Sequence, residues 1–172
     1  MDAVSPTGGF RSSERSRNGG IDRVPVAGAP GELWLCGKHL IGPDPEAAVD
    51  RIGADLVVCL NQRHELEDRY PSYVDWLRTD PRVRWVPVPD LGVPTIDVAA
   101  ELARSVSSSL DAGRTVLAHC GAGIGRAGTL AAAVLVVRGA TVAEAVAVVA
   151  ASRPTAGPEA GAQLLLLHEL AG

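Results

Sequence analysis

The sequence of 172 residues lacks the features that mark zinc-binding, secreted and membrane-spanning proteins. Its three cysteines, Cys36, Cys59 and Cys120, are odd in number and match no zinc-binding spacing. No apolar run reaches the roughly 20 residues that a membrane-spanning helix needs, and no signal peptide is visible at the N-terminus. We therefore expect a cytoplasmic protein with reduced thiols and without a membrane segment.

Lysine and aromatic residues are also scarce. Lys38 is the only lysine, and the formal net charge is -4 without any large basic block. Because affinity for nucleic acid depends on lysine and arginine side chains that neutralise phosphates, no nucleic-acid partner is expected. Aromatic residues make up 3% of the chain, so the core must be built mainly from leucine, valine and alanine.

The chain divides into two regions of different composition. Residues 1–30 are rich in Gly, Ser, Pro and Arg and lack periodicity, which is typical of a disordered tail. Residues 31–172 alternate strand-like and helix-like patterns, which predicts a single α/β domain with a mostly parallel sheet. The predicted strands cover 33–36, 55–60, 83–88 and 114–119. The predicted helices cover 45–52, 65–78 with a break at Pro71, 95–112, 126–138, 141–152 and a last segment from 159 or 161 to 170.

The segment HCGAGIGR, from His119 to Arg126, lies between a predicted strand and an almost wholly apolar predicted helix. A helix N-terminus and a nearby guanidinium both favour the thiolate form of Cys120, which is the nucleophilic form. Glycines let successive N–H groups converge on one anion, and arginine adds a planar donor that matches two phosphate oxygens. The pattern therefore predicts a phosphate-binding loop formed by Gly121, Ala122, Gly123, Ile124, Gly125 and Arg126.

HCGAGIGRAG resembles the HCxxGxxR(S/T)G signature of the cysteine-based protein phosphatases, the superfamily of protein tyrosine and dual-specificity phosphatases. PDLGVP around Asp90 is similar to their acid loop, and its distance of 30 residues from Cys120 resembles the compact, dual-specificity-like members. Arg153-Pro154 followed by Gln163 is similar to the RP…Q segment of those members. The resemblance covers residues 33–170 and implies the three-layer phosphatase fold: a central, mostly parallel sheet flanked by helices, with the phosphate-binding loop between a strand and a buried helix.

The resemblance also implies a role for each matching residue in a phosphatase that needs no metal or cofactor. Cys120 would attack phosphorus and form a phosphocysteine, while the loop and Arg126 would hold the phosphate oxygens. Asp90 would protonate the leaving oxygen and then activate the attacking water. His119 would hydrogen-bond the loop backbone, and Gln163 would help to position that water.

Loop composition bears on the substrate. The loop lacks the lysines that phosphoinositide phosphatases of this superfamily often carry, which favours a phosphorylated protein, and phosphotyrosine in particular. Phosphoserine and phosphothreonine stay open, as does a phosphatase for a nucleotide, an RNA 5′ end or a lipid. A sulfurtransferase or an arsenate reductase would not need the acid loop around Asp90, so that segment counts against both.

One position departs from the signature, because Ala127 stands where the family has Ser or Thr. That hydroxyl normally stabilises the cysteine thiolate when the phosphocysteine breaks down, so we expect a slower second half-reaction. Thr129 lies on a different side of the helix and is not expected to compensate. A catalytically weak module that binds phosphorylated partners is therefore an alternative.

Other residues with reactive side chains receive structural interpretations. Cys36 and Cys59 lie in predicted strands and are expected to act as small hydrophobic residues; a redox pair between either of them and Cys120 is the alternative. The segment 63–65 (RHE) follows a predicted strand and is interpreted as a solvated loop, with a place at the rim of the cleft as the alternative. The sequence leaves the oligomeric state open.

Overall fold

The computed structural model describes residues 20–172, which form a five-stranded sheet with helices on both faces. The strands are β1 (Ile21–Val24), β2 (Glu32–Gly37), β3 (Leu56–Cys59), β4 (Val83–Trp85) and β5 (Thr115–Cys120). The helices are α1 (Lys38–Ile41), α2 (Pro45–Ile52), α3 (Pro71–Thr79), α4 (Ile96–Asp111), α5 (Gly125–Val137), α6 (Val142–Ser152) and α7 (Gly161–Ala171). A 3₁₀ turn spans Arg63–Glu65.

The sheet has the strand order β1-β2-β5-β3-β4, with β5 at its centre. The pairs β2–β5, β5–β3 and β3–β4 are parallel, and only the edge strand β1 is antiparallel to its neighbour. This confirms the predicted α/β fold with a mostly parallel sheet. Because the four parallel strands run in one direction, their carboxyl ends meet at one edge of the sheet, where ligands bind in folds of this kind.

Several helices begin and end where short-range signals place them. The Asp44 side chain accepts a hydrogen bond from Ala47 N at 3.0 Å and caps α2, which ends at Gly53 with a φ of 65°. The helix predicted over residues 65–78 is wrong in its first half. Pro71 begins α3 instead of interrupting a longer helix, because proline lacks an N–H group and is accommodated in the first turn.

Two hydrophobic clusters fill the space on either face of the sheet. One joins β2 and β5 to α4, α5, α6 and α7, and the other joins the sheet to α1, α2 and α3. Helix α5 lies in the first cluster with nearly every residue buried, as the unbroken apolar pattern predicts. Within residues 20–172, no helix combines the length and the hydropathy that crossing a membrane requires.

Strand β1 corrects the predicted boundary of the disordered tail. Its residues fall within the segment 1–30, yet Ile21 and Val24 are each only 1% exposed, and β1 pairs along its whole length with β2. The strand has only four residues, and its two apolar side chains are three positions apart, so the sequence shows no two-residue period. Residues 1–19 lie outside the described residues.

Candidate active site

The candidate site lies where the carboxyl ends of the parallel strands meet. Cys120 is the last residue of β5 and is 2% exposed, and the predicted phosphate-binding loop runs from it to the start of α5 at Gly125. The segments that follow β2, β3 and β4 bring Lys38, Glu65 and Asp90 to the same edge of the sheet. The fold therefore assembles this site from residues that are far apart in sequence.

Carbonyl groups of the loop are bound by groups outside it. The bonds run from Lys38 N to Gly121 O at 2.9 Å, from Arg153 Nη2 to Ala122 O at 2.7 Å, and from Gly157 N to Ile124 O at 3.1 Å. The N–H group of a trans peptide lies opposite its carbonyl group. The N–H groups of Ala122, Gly123 and Gly125 are therefore directed to the opposite side, which is the geometry of an anion-binding concavity.

The loop packs tightly against the end of β2 at one glycine. Gly123 has a φ of 73°, and a Cβ atom there would lie only 2.3 Å from the carbonyl oxygen of Cys36. Any side chain would push the loop away from β2 and would also strain the backbone. This position therefore needs glycine for both conformation and space.

The Arg126 guanidinium lies against the loop, with Nη2 3.4 Å from the position that a Cβ on Gly121 would take. Its terminal edge is used within the protein: Nη1 and Nη2 donate to the two Glu65 carboxylate oxygens at 2.8 and 2.7 Å. Nη1 also donates to Val88 O at 2.8 Å. Among the described residues, none accepts a hydrogen bond from the buried Nε of Arg126. The second edge, formed by Nε and Nη2, is thus the one available to two oxygens of an anion.

For Glu65 the sequence analysis favours a solvated loop, but the structure places its carboxylate on Arg126, in agreement with the alternative of a place at the cleft. Burial opposes its ionisation, but the hydrogen bonds from Arg126 and from the Gln62 backbone outweigh burial and lower the pKa of Glu65 to about 2. The carboxylate is therefore charged at neutral pH and fixes the orientation of Arg126. The available signal was its position after a parallel strand; the 61 residues that separate it from Arg126 hid the pairing.

Asp90 lies on the loop that follows β4, with Oδ1 3.5 Å from Arg126 Nη2. Its side chain is 75% exposed, so the carboxylate reaches solvent at the mouth of the site. The strand predicted over residues 83–88 ends at Trp85, although Val86 N and Val88 N still donate to Cys59 O and Leu60 O at 2.9 and 3.0 Å. The structure thus brings Asp90 and Cys120 to the neighbourhood of Arg126.

Comparison with known proteins agrees with this geometry. Residues 41–170 match the family model described as Swiss Army Knife protein, DSP-PTPase phosphatase domain (PTP-SAK). The chain belongs to this family. No curated protein matches the sequence.

Solved structures of phosphatases share the fold. The structure of Tk-PTP in the active form is 30% identical with a TM-score of 0.67, covering 87% of this chain and 95% of that one. Kinase associated phosphatase, with its catalytic-site cysteine replaced by serine, is 22% identical with a TM-score of 0.75, covering 87% and 92%. Human DUSP28 is 21% identical with a TM-score of 0.66, covering 88% and 92%.

In this phosphatase domain, His119, the residue before Cys120, is completely buried. Its Nδ1 lies 3.4 Å from Cys120 O, which can only accept, so Nδ1 carries the proton and Nε2 accepts from the Tyr73 hydroxyl at 2.5 Å. Burial and, to a smaller extent, the charge of Arg126 lower the pKa of His119 to about 4 despite the opposing bond to Cys120. The imidazole is therefore neutral at physiological pH.

Gln163 differs from its expected placement beside the hydrolytic water. Its side chain is fully buried: Oε1 accepts from Glu159 N at 2.7 Å, and Nε2 donates to Gly92 O at 3.3 Å. These bonds join the start of α7 to the acid loop, so Gln163 is a structural link in this conformation. The side chain placed beside the phosphate loop is instead Glu159, whose carboxylate lies 3.0–3.2 Å from where a Cβ on Gly125 would stand.

The other two cysteines lie on the opposite face of the sheet from Cys120. Cys36 and Cys59 are both in register with His119, the residue before Cys120, and successive side chains of a strand alternate between faces. All three cysteines are free and buried, and burial raises the pKa of Cys59 to about 12. The geometry favours the interpretation of Cys36 and Cys59 as hydrophobic packing residues over a redox pair with Cys120, because the Cβ atoms point apart.

Ala127 is completely buried in the first turn of α5. Thr129 does not supply the missing hydroxyl: it lines an apolar cleft beneath the acid loop together with Val93 and Leu102. Within the described residues, its buried Oγ1 has no hydrogen-bond partner. The departure seen in the sequence is therefore not compensated by this neighbour.

Proposed function

We propose that the chain is a metal-independent phosphatase that hydrolyses phosphomonoesters through a phosphocysteine on Cys120, with phosphotyrosine in proteins as the favoured substrate. The observation that carries the proposal is the loop itself. Three of its carbonyl groups are held from outside, so that the N–H groups of the same peptides face the other side, and the Nε–Nη2 edge of Arg126 adds to these donors. Such a cradle stabilises the three peripheral oxygens of a phosphoryl group as charge shifts during transfer.

In the first step, the Cys120 thiolate attacks phosphorus and the bond to the leaving oxygen breaks with its electron pair. Asp90, in its protonated form, transfers a proton to that oxygen. In the second step, Asp90 accepts a proton from water as the water attacks phosphorus. The sulfur–phosphorus bond then breaks, which regenerates the thiolate and releases inorganic phosphate.

The charges around the loop support a phosphoprotein substrate. The loop side chains at Ala122 and Ile124 are neutral, and the Nζ of the chain's only lysine, Lys38, donates to Glu65 O at 3.0 Å. The carboxylates of Glu65 and Asp90 lie at the same edge. A substrate with several phosphates would meet more like charge here than phosphotyrosine would.

Rapid-mixing hydrolysis of p-nitrophenyl phosphate tests the proposal. The wild-type protein should show a burst followed by vanadate-sensitive turnover, and Cys120→Ser should show neither while still binding vanadate. Asp90→Ala should slow the release of a poor leaving group far more than that of p-nitrophenol. Equal losses for both leaving groups would contradict the role of Asp90.

Ala127 favours one second candidate, a module that binds phosphorylated partners with little turnover. Ala127→Ser restores the hydroxyl that the family signature carries. If the chain is a slow enzyme, this variant should raise the steady-state rate and leave the burst rate unchanged. A wild-type protein that binds a phosphotyrosine peptide but shows neither burst nor turnover would support the binding module instead.

A further inference from the structure

We propose that Asp22, in strand β1, is a positioning residue for the phosphate loop and acts through Arg153; this inference rests on the proposed function. Asp22 belongs to the part of the chain whose sequence is typical of a disordered tail, and it precedes the segment that matches the family model. The structure nevertheless connects it to the loop through a single side chain.

The connection is short and buried. Asp22 Oδ2 lies 2.8 Å from Arg153 Nη1, and Nη2 of the same guanidinium donates to Ala122 O at 2.7 Å. The side chains of Asp22 and Arg153 are 14% and 3% exposed. Two charged groups removed from water in this way hold a defined geometry, because each remaining hydrogen bond costs much to break.

The Arg153 guanidinium is planar and rigid, so it couples the position of the Asp22 carboxylate to that of the Ala122 carbonyl. With Nη1 fixed by Asp22, Nη2 can lie in few places, and the Ala122 carbonyl is held where Nη2 meets it. That carbonyl and the Gly123 N–H belong to one trans peptide, so the orientation of the first sets the orientation of the second. Asp22 thereby helps to aim one phosphate-binding N–H group.

Strand β1 is a firm support for this contact. It pairs with β2 from Ile21 to Val24, and both of these side chains are buried against the sheet. Arg153 also donates through Nη1 to Gly20 O at 3.3 Å, so two groups at the start of the described chain bind one guanidinium. Strand β1 therefore contributes to the conformation of the phosphate loop.

Vanadate affinity of Asp22→Asn tests the inference, because vanadate binds the loop without turnover. The substitution keeps the size of the side chain and removes its charge. We expect vanadate binding to weaken by about 10-fold, the scale on which outer partners of a binding site act. KM for p-nitrophenyl phosphate should rise in parallel, and Asp22→Glu should recover most of the loss.

The chain offers a matched control on the same strand. Arg23 pairs with Glu32 at 3.5 Å, with side chains 55% and 37% exposed. Arg23→Gln removes this surface pair and should change vanadate affinity by less than about 2-fold. An equal loss in Asp22→Asn and Arg23→Gln would indicate a general loosening of β1 and would overturn the inference.

A double-mutant cycle with Arg153→Met separates a direct effect from one that passes through Arg153. If Asp22 acts through Arg153, Asp22→Asn should have almost no further effect in the Arg153→Met protein. Additive losses would reject the proposed route. Failure of the inference differs from failure of the proposed function: a wild-type protein that binds no vanadate rejects the function, whereas unchanged affinity in Asp22→Asn rejects only the role of Asp22.

Discussion

At the scale of single residues, the ion pair between Glu65 and Arg126 sets the orientation of the guanidinium in the site. Glu65 occupies the terminal edge of the guanidinium, and its side chain is 15% exposed. The arginine is thereby held with its other edge available beside the loop. The same pair gives the buried cation a permanent partner when no phosphate is bound.

Glu65→Ala should therefore lower the free energy of unfolding by about 2–3 kcal/mol, because it removes the partner of a buried charge. Phosphate or vanadate should restore part of the loss, since the anion supplies negative charge to Arg126. Thermal unfolding with and without vanadate measures both effects, and the shift caused by vanadate should be larger in the variant.

Glu67→Ala is the matched control for this prediction. Glu67 pairs with Arg63 at 2.6 Å, but both side chains are exposed, so its removal should change stability by less than about 0.5 kcal/mol. Equal destabilisation by the two substitutions would contradict the structural role of the Glu65–Arg126 pair.

At the scale of elements, the unit of β5, loop and α5 depends on backbone conformation at Gly123. Gly123→Ala should abolish vanadate binding, because the new Cβ would collide with Cys36 O. Gly53 offers the comparison: it also has a positive φ, of 65°, but has open space around its Cβ position. Gly53→Ala should cost about 1 kcal/mol of stability and leave vanadate binding intact.

Sequence patterns predicted the elements whose signals are local. Helices α2, α4 and α6 have caps at Asp44, Thr95 and Thr141, and each of these residues accepts a backbone hydrogen bond. The phosphate-binding loop could be predicted because the residues that define it are eight consecutive positions, His119 to Arg126. Strand β1 has no such local signal: its pairing with β2 and the contact between Asp22 and Arg153 form only when distant segments meet.

The same distinction applies within the site. Cys120 and Arg126 are close in sequence, so their proximity followed from the loop pattern. The partnership of Glu65 with Arg126 and the burial of Gln163 depend on how β3, α5 and α7 pack against one another. A single sequence does not contain that information in any local form.

At the scale of the whole molecule, a buried histidine makes stability depend on pH. His119 is completely buried, and burial lowers its pKa to about 4, whereas an unfolded histidine titrates near 6.5. Between these values, the unfolded state binds more protons than the folded state. The free energy of unfolding should therefore fall as the pH decreases from about 6.5 to about 4, by up to about 3 kcal/mol.

Chemical denaturation at a series of pH values measures this dependence. His119→Gln should flatten the curve above pH 4.5, because Glu65, with a pKa of about 2, loses its stabilising charge only as the pH falls below about 4.5. His64→Gln is the control, since His64 is exposed in the turn before α3. The account of His119 fails if its substitution leaves the slope between pH 6.5 and 4.5 unchanged.

The most direct test of the central claim is to trap the phosphoenzyme. The wild-type protein is mixed with a phosphotyrosine peptide carrying radioactive phosphate, quenched in acid within milliseconds and mapped by peptide analysis. The account predicts a transient label on the wild-type peptide that contains Cys120. This label accumulates because Ala127 slows hydrolysis of the phosphocysteine, and it is absent from Cys120→Ser. Release of phosphate without any labelled Cys120 peptide would contradict it.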